Sequence, residues 1–269
     1  MLDNKRQLHI VWISLLFAWI IMTVVPLLTP KTERLLADYY DRSIYFDRGK
    51  WLIEGKNPVS EYPQIPTFLF GINRLATNWL DPGLQRIVYV NLFAFKMILV
   101  LFFVFKILWE LLPPERSNYA FLLLLPPVIY FSYNRFDILP AFLCLLALKL
   151  TSKMKWSLAA IVLAIATFTK WYPALLFPGF FMYATRQDTK FQWKMILSYS
   201  ATCAAILLLT YEQVGIETIL APYQFHSARG MEQIALPVLI DTCLGNVINI
   251  DISLSLSIFI FNQISGSIL

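Results

Sequence analysis

Long apolar runs separated by short polar breaks dominate the chain, and their lengths decide what they are. Runs over residues 8–28, 87–112 and 193–211 are nearly free of charge, and each is close to the roughly 20 residues a helix needs to cross a hydrocarbon core of about 30 Å. Shorter runs of the same character cover 119–133 and 138–150, a pair covers 156–169 and 171–184 on either side of Lys170, and a last one covers 252–269. The pattern predicts an all-α fold: a polytopic transmembrane helical bundle forming a single domain over 1–269, with external loops over 29–86 and 212–236.

Orientation follows from the tendency of Lys and Arg in short loops to stay on the cytoplasmic side. Lys5 and Arg6 put the N-terminus inside, and Arg116, the group Lys149, Lys153 and Lys155, and the group Arg186, Lys190 and Lys194 mark further inner loops. The two arms around Lys170 are short for a bilayer, so the turn Lys170-Trp171-Tyr172-Pro173 is expected below the outer surface, lining a polar cavity. With this topology Asp41, Glu61, Asn134-Arg135-Phe136-Asp137, Lys170 and His226-Ser227-Ala228-Arg229 all reach the outer side.

Composition agrees. The 269 residues are 58% hydrophobic and 14% charged, well away from the quarter or so of charged residues in an average soluble domain. A net charge of +5 would suit nucleic acid if it lay along one face, but the basic residues sit in short clusters between apolar runs, where they set topology. Cys144, Cys203 and Cys243 show no paired ligand spacing and read as small core residues, and the external acids lack the clustering a metal site needs. No cofactor and no nucleic-acid partner are expected. The first run lacks a small-residue cleavage site and reads as an anchor.

Inside the first external loop, residues 35–55 interleave Leu35, Leu36, Tyr40, Ile44, Trp51 and Leu52 with Asp38, Asp41, Arg42, Asp47 and Arg48. That mixture suits an interfacial amphipathic helix, with Asp38, Asp41, Tyr45 and Arg48 on roughly one face. A solvated face packed on the membrane surface is the plain alternative.

One register narrows the choice among the acids. The stretch from Asp41 through Tyr45 to Gly55, then Asn57-Pro58 and Glu61-Tyr62-Pro63, resembles the first external loop of the polyprenol-phosphate-mannose-dependent mannosyltransferases of the GT-C superfamily. Those proteins carry an Asp, a Tyr four residues on and a Gly fourteen on, followed by Gly-x-x-Pro and Tyr-Pro-Pro elements. The resemblance continues in Asn134 to Pro140, Thr169 to Pro173 and Phe225 to Glu232, and it departs at Tyr62-Pro63-Gln64-Ile65-Pro66.

The resemblance implies a membrane hexosyltransferase, by family default a mannosyltransferase, of cell-envelope glycan biosynthesis. It would move a sugar from a polyprenyl-phosphate donor to a lipid or glycan acceptor on the outer face of a bacterial plasma membrane. Such transfer needs a base for the acceptor proton and cations for the departing phosphate. Asp41 is the expected base. Arg229, Lys170, His226 and Arg135 are expected on the phosphate, and Tyr45, Glu61, Tyr62, Asp137 and Glu232 as acceptor-side or structural support.

Structural alternatives stay open. Lys170 would snorkel to the interface, Asp137 would pair with Arg135 or cap the next helix, and Arg229 would pair with Glu232. His226 would be an ordinary loop residue. Two other functions stay open as well: a transporter or lipid flippase, and a truncated inactive paralogue.

Overall fold

A computed structural model describes residues 4–29, 39–56, 61–187 and 192–229. Every regular element among them is helical, and no strand occurs there. The chain clusters into two units, residues 1–219 and 220–269. Of the second, only the last turns of one helix, through Arg229, are described.

Three helices are long and apolar enough to cross a membrane. They are α1 (Asn4–Leu28), α4 (Pro82–Leu111) and the segment Trp193–Phe225 of α9 (Gln192–Arg229). At 1.5 Å per residue α1 is about 37 Å long and α4 about 45 Å, both more than the hydrocarbon thickness. α4 opens with Pro82 at its first position, where a missing N–H costs nothing. The helical stretch that begins at Gln192 breaks at Gly215, four residues after the expected end at Tyr211; its φ of +79° is open chiefly to glycine, and a second helical stretch follows to Arg229.

The remaining elements are shorter. A run over 119–133 reads as one apolar stretch, yet it folds as a 3₁₀ segment, Ser117–Leu124, followed by α5, Pro126–Asn134. The adjacent Pro126 and Pro127 cannot donate backbone hydrogen bonds, so a new helix starts there. α6 (Ile138–Ser152) and α7 (Trp156–Thr169) form an antiparallel hairpin. Ala159, Ala160, Ala164 and Ala166 of α7 are fully buried, and small residues let neighbouring helices approach closely. Their turn closes with Lys155 N–H donating to Leu150 O (2.9 Å) and Met154 N–H to Thr151 O (2.9 Å), with Met154 left-handed at φ +56°. A 3₁₀ turn, Tyr172–Leu176, leads from Lys170 into α8, Phe177–Gln187.

Between α1 and α4 the structure has two helices, α2 (Tyr39–Ile53) and α3 (Gln64–Leu75). The sequence pattern pointed to α2 alone. They cross at glycine: a Cβ on Gly49 would lie 2.5 Å from Phe70 O, and a Cβ on Gly71 would lie 2.5 Å from Leu52 Cδ2. Arg42, Tyr45 and Gly49, three and four residues apart, are the buried side of α2, so it is packed against protein along that face.

Three apolar clusters organise the described residues; one joins α7, α8 and α9 through Trp156, Ala160, Ala184 and Met195, and the other two bear on the site. Val11, Leu15 and Met22 of α1 meet Ala94, Ile98, Leu101 and Phe105 of α4 and Tyr133 of α5. Tyr45, Phe70, Tyr89, Phe93, Met97 and Phe136 form the second, which ties α2 and α3 to the upper part of α4 and to the turn between α5 and α6.

Candidate functional site

The second cluster is the floor on which most of the expected site residues stand. Helix α5 ends at Asn134, and the backbone becomes extended at Arg135 (φ −129°, ψ 151°) before Asp137 begins α6. Between the two charged residues Phe136 is 2% exposed, with its ring centroid 4.9 Å from Tyr62, 5.7 Å from Tyr45 and 5.8 Å from Phe70. Edge-on aromatic contacts of this kind each add about 0.5–1.5 kcal/mol beyond area burial. With Phe136 held, its neighbours reach two different partners. Arg135 reaches Asp41 in the first turn of α2, and Asp137 reaches Lys170 at the end of α7.

The first pair brings Arg135 Nε to 2.8 Å from Asp41 Oδ2, with the carboxylate side chain 15% exposed and the arginine 42%. The Nε makes no aligned hydrogen bond. The two are an ion pair at hydrogen-bonding distance, with Nε itself off the hydrogen-bond line. The second pair, Lys170 Nζ with Asp137 Oδ1, is about half-exposed. It decides between the alternatives for both residues. Lys170 is held by a carboxylate instead of simply snorkelling outward. Asp137 occupies the N-cap of α6 but makes no capping hydrogen bond, and its partner is Lys170, not Arg135.

A hydroxyl chain adjoins the pairs. Tyr45, 1% exposed, stacks on Phe70 at 4.5 Å, and its hydroxyl donates to Tyr62, whose own hydroxyl donates to Glu61. Burial pushes both phenols well above the usual tyrosine range, and the neighbouring Tyr62, Glu61 and Asp41 push the same way. Arg48, one turn beyond Tyr45, lies over the Trp51 ring at 4.7 Å, and burial draws its guanidinium downward against the attraction of Glu61. The described cluster brings together the carboxylates Asp41, Glu61 and Asp137 and the cations Arg48, Arg135 and Lys170, with Asp47 also acting on Arg48.

No family model, curated protein or solved structure matches the chain.

Seven of the ten residues singled out in the sequence come together here: Asp41, Tyr45, Glu61, Tyr62, Arg135, Asp137 and Lys170. They come from four stretches, 41–45, 61–62, 135–137 and 170, drawn from opposite ends of a 130-residue segment. His226 and Arg229 belong to the end of α9, where only the backbone is described, and Glu232 lies outside the described residues.

Sequence reasoning missed the residues that hold the cluster. Phe70 and Phe136 were given no role of their own, and α3 as a whole fell within the expected external loop 29–86 without being recognised as a helix. Pro63 and Pro66 stand at its start, where Pro is well tolerated. The first turn of α3 also carries Gln64 and Thr67, 5% and 3% exposed, whose side-chain oxygens have no hydrogen-bond partner among the described residues. Buried polar atoms without partners are uncommon, and they are what a polyhydroxylated ligand would satisfy. No group of three metal-type side chains occurs among the described residues.

Proposed function

We propose that the chain is a membrane glycosyltransferase that moves a hexose, in the nearest analogy mannose, from a polyprenyl-phosphate donor to a lipid or glycan hydroxyl. The single observation that carries this reading is the meeting of Asp41 with Arg135 beside Lys170 and Asp137, next to the Tyr45, Tyr62 and Glu61 chain. A carboxylate and two cations in one partly exposed cluster are the groups that sugar transfer from a phosphate requires.

In the proposed step the acceptor oxygen attacks the anomeric carbon, and the carbon–oxygen bond to phosphate breaks. The acceptor proton passes to Asp41, and the polyprenyl phosphate leaves with the bonding pair. Lys170 and Arg135 stabilise the charge gained by that phosphate, the guanidinium by engaging two oxygens. These cations are paired with Asp137 and Asp41. Donor binding exchanges one anion for another at Lys170, so the site avoids standing open as an uncompensated positive pocket. Membrane location, outer-face chemistry and a bacterial plasma membrane belong to the same proposal.

Asp41→Asn tests it. The amide keeps the shape of the carboxylate and cannot take a proton, so transfer from a radiolabelled polyprenyl-phosphate sugar should fall by about 10²–10⁴, while Asp47→Asn, at an exposed position on the same helix, stays close to wild type. Equal losses at both positions, or near-normal transfer by Asp41→Asn, would refute the assignment.

A further inference from the structure

Helix α2 has chemistry on a second side. Arg42 follows Asp41 and projects about 100° further around the helix, where it is 2% exposed. Its guanidinium lies 5.1 Å from the centre of the Tyr133 ring and borders a cavity of about 350 Å³ between α1, α2, α4 and α5. Tyr133 and Arg135, two residues apart, thus serve different spaces: Arg135 meets Asp41, and Tyr133 faces this cavity.

The cavity has a polar wall and an apolar one. Arg86 joins Arg42 on the polar wall and donates to Ser43 Oγ of α2, which fixes its head at the rim. The Tyr133 hydroxyl donates to Met22 O at 3.1 Å and lies 3.1 Å from Thr23 Oγ1, so the hydroxyl edge is built into the packing of α1 against α5. Leu27, Ile87 and Val90 line the other side. Thr23 and Leu27 lie in the last turns of the first candidate span, and Arg86 and Val90 in the first turns of the second. The ends of spans are where the headgroups of a bilayer lie when such helices cross it.

Two guanidiniums over an apolar slot at that depth specify an anion with several oxygens, attached to a hydrocarbon chain. Arginine is the side chain best matched to phosphate, and lipid phosphates are the anions that occur at this level of a membrane. We propose that this cavity binds the phosphate headgroup of a membrane lipid, with Arg42 and Arg86 on the phosphate and the tail along Leu27, Ile87 and Val90. The site does not depend on the glycosyl-transfer reading: its lining includes none of the charged residues or tyrosines of the Asp41 cluster and shares with it only Val90 of the apolar floor. A bound lipid here would brace α1 against α2, one helix away from the reacting groups.

Native mass spectrometry of the full chain, purified in detergent and stripped of lipid, tests the proposal with four probes: phosphatidylglycerol, phosphatidylcholine, a polyprenyl phosphate and inorganic phosphate. Wild-type protein should retain an anionic phosphate lipid about tenfold better than phosphatidylcholine, the scale of one added charge-assisted partner. Arg86→Gln and Ile87→Trp, the second filling the slot while keeping both arginines, should each lose about tenfold in retention. Both positions are exposed, so these variants carry the test even where Arg42→Gln, at a buried position, fails to fold. Preference for phosphatidylglycerol identifies an ordinary headgroup as the ligand, and preference for the polyprenyl phosphate identifies a single-chain monoester. Undiminished lipid retention in both exposed variants overturns the proposal, as does displacement of lipid by inorganic phosphate at equal concentration. Loss of transfer in Asp41→Asn with lipid retention intact separates this site from the catalytic one.

Discussion

Replacing Gly49 by Ala should destabilise the protein although it adds only one methyl group. The new Cβ would sit 2.5 Å from the Phe70 carbonyl oxygen, 2.8 Å from its carbon and 3.1 Å from Arg74 Cβ. A carbonyl in the middle of α3 cannot rotate aside without breaking its own helix, so α2 and α3 must move apart. Overpacking of this kind costs about 1–3 kcal/mol, and the better helix propensity of Ala returns about 0.5–1 kcal/mol. The net expectation is a loss of about 1–2 kcal/mol, or a melting temperature roughly 2–8 °C lower if it follows the scaling of a domain of some 200 residues. Gly71→Ala supplies the contrast. Its Cβ would meet the Leu52 Cδ2 at the same 2.5 Å, but that is the end of a flexible side chain, so the propensity gain should cancel or exceed the cost. Gly83→Ala, with nothing within 4 Å, sets the baseline. Thermal unfolding in detergent, followed by tryptophan fluorescence at one fixed scan rate because such transitions are commonly irreversible, reads all three. The reasoning fails if Gly49→Ala melts at or above wild type, or if Gly71→Ala is the more damaged.

Two further outcomes follow from the site. Lys170→Ala and Asp137→Asn should each change stability by less than about 1 kcal/mol, because the pair is half-exposed, yet only Lys170→Ala should raise the donor concentration needed for half-maximal transfer, and equal effects of the two would remove Lys170 from the phosphate. Since burial raises the Tyr45 and Tyr62 phenols above their unfolded value of 10.0, the native state holds protons that the unfolded chain releases, so their contribution is fully present below about pH 10 and is lost as pH rises beyond it; tyrosinate absorbance should place Tyr45 and Tyr62 among the residues that ionise only on unfolding, with Tyr45→Phe removing one residue from that amplitude and softening the alkaline loss of stability.

The spans were legible to the degree that a run was uniform. Residues 8–28 and 87–112 match α1 and α4 closely because their hydropathy is high from end to end and nothing in them forbids a helix. The run over 119–133 is equally apolar, but hydropathy does not register the loss of two backbone donors at Pro126 and Pro127, so one expected span is two short helices. Near Tyr211 the expected end and the structural break almost coincide: Glu212 lowers hydropathy, and the backbone leaves the helical conformation at Gly215, where glycine permits it.

The site residues were legible because charge in an apolar chain is conspicuous, while their partners were not, since pairing is decided by what lies between them in space. Asp137 and Arg135 are two apart in sequence, and short separation invites the inference that they pair. Phe136 prevents this. Once its ring is buried against Tyr45, Tyr62 and Phe70, an extended backbone at Arg135 sends the flanking side chains to separate neighbours, one to α2 and the other to the end of α7. The aromatic residue between two charges thus determines the wiring of the cluster, and it could have been recognised only together with α3, the helix that supplies Phe70. Phe136→Ala should therefore disturb both ion pairs at once, a coupling that neither Asp41 nor Lys170 replacement would produce.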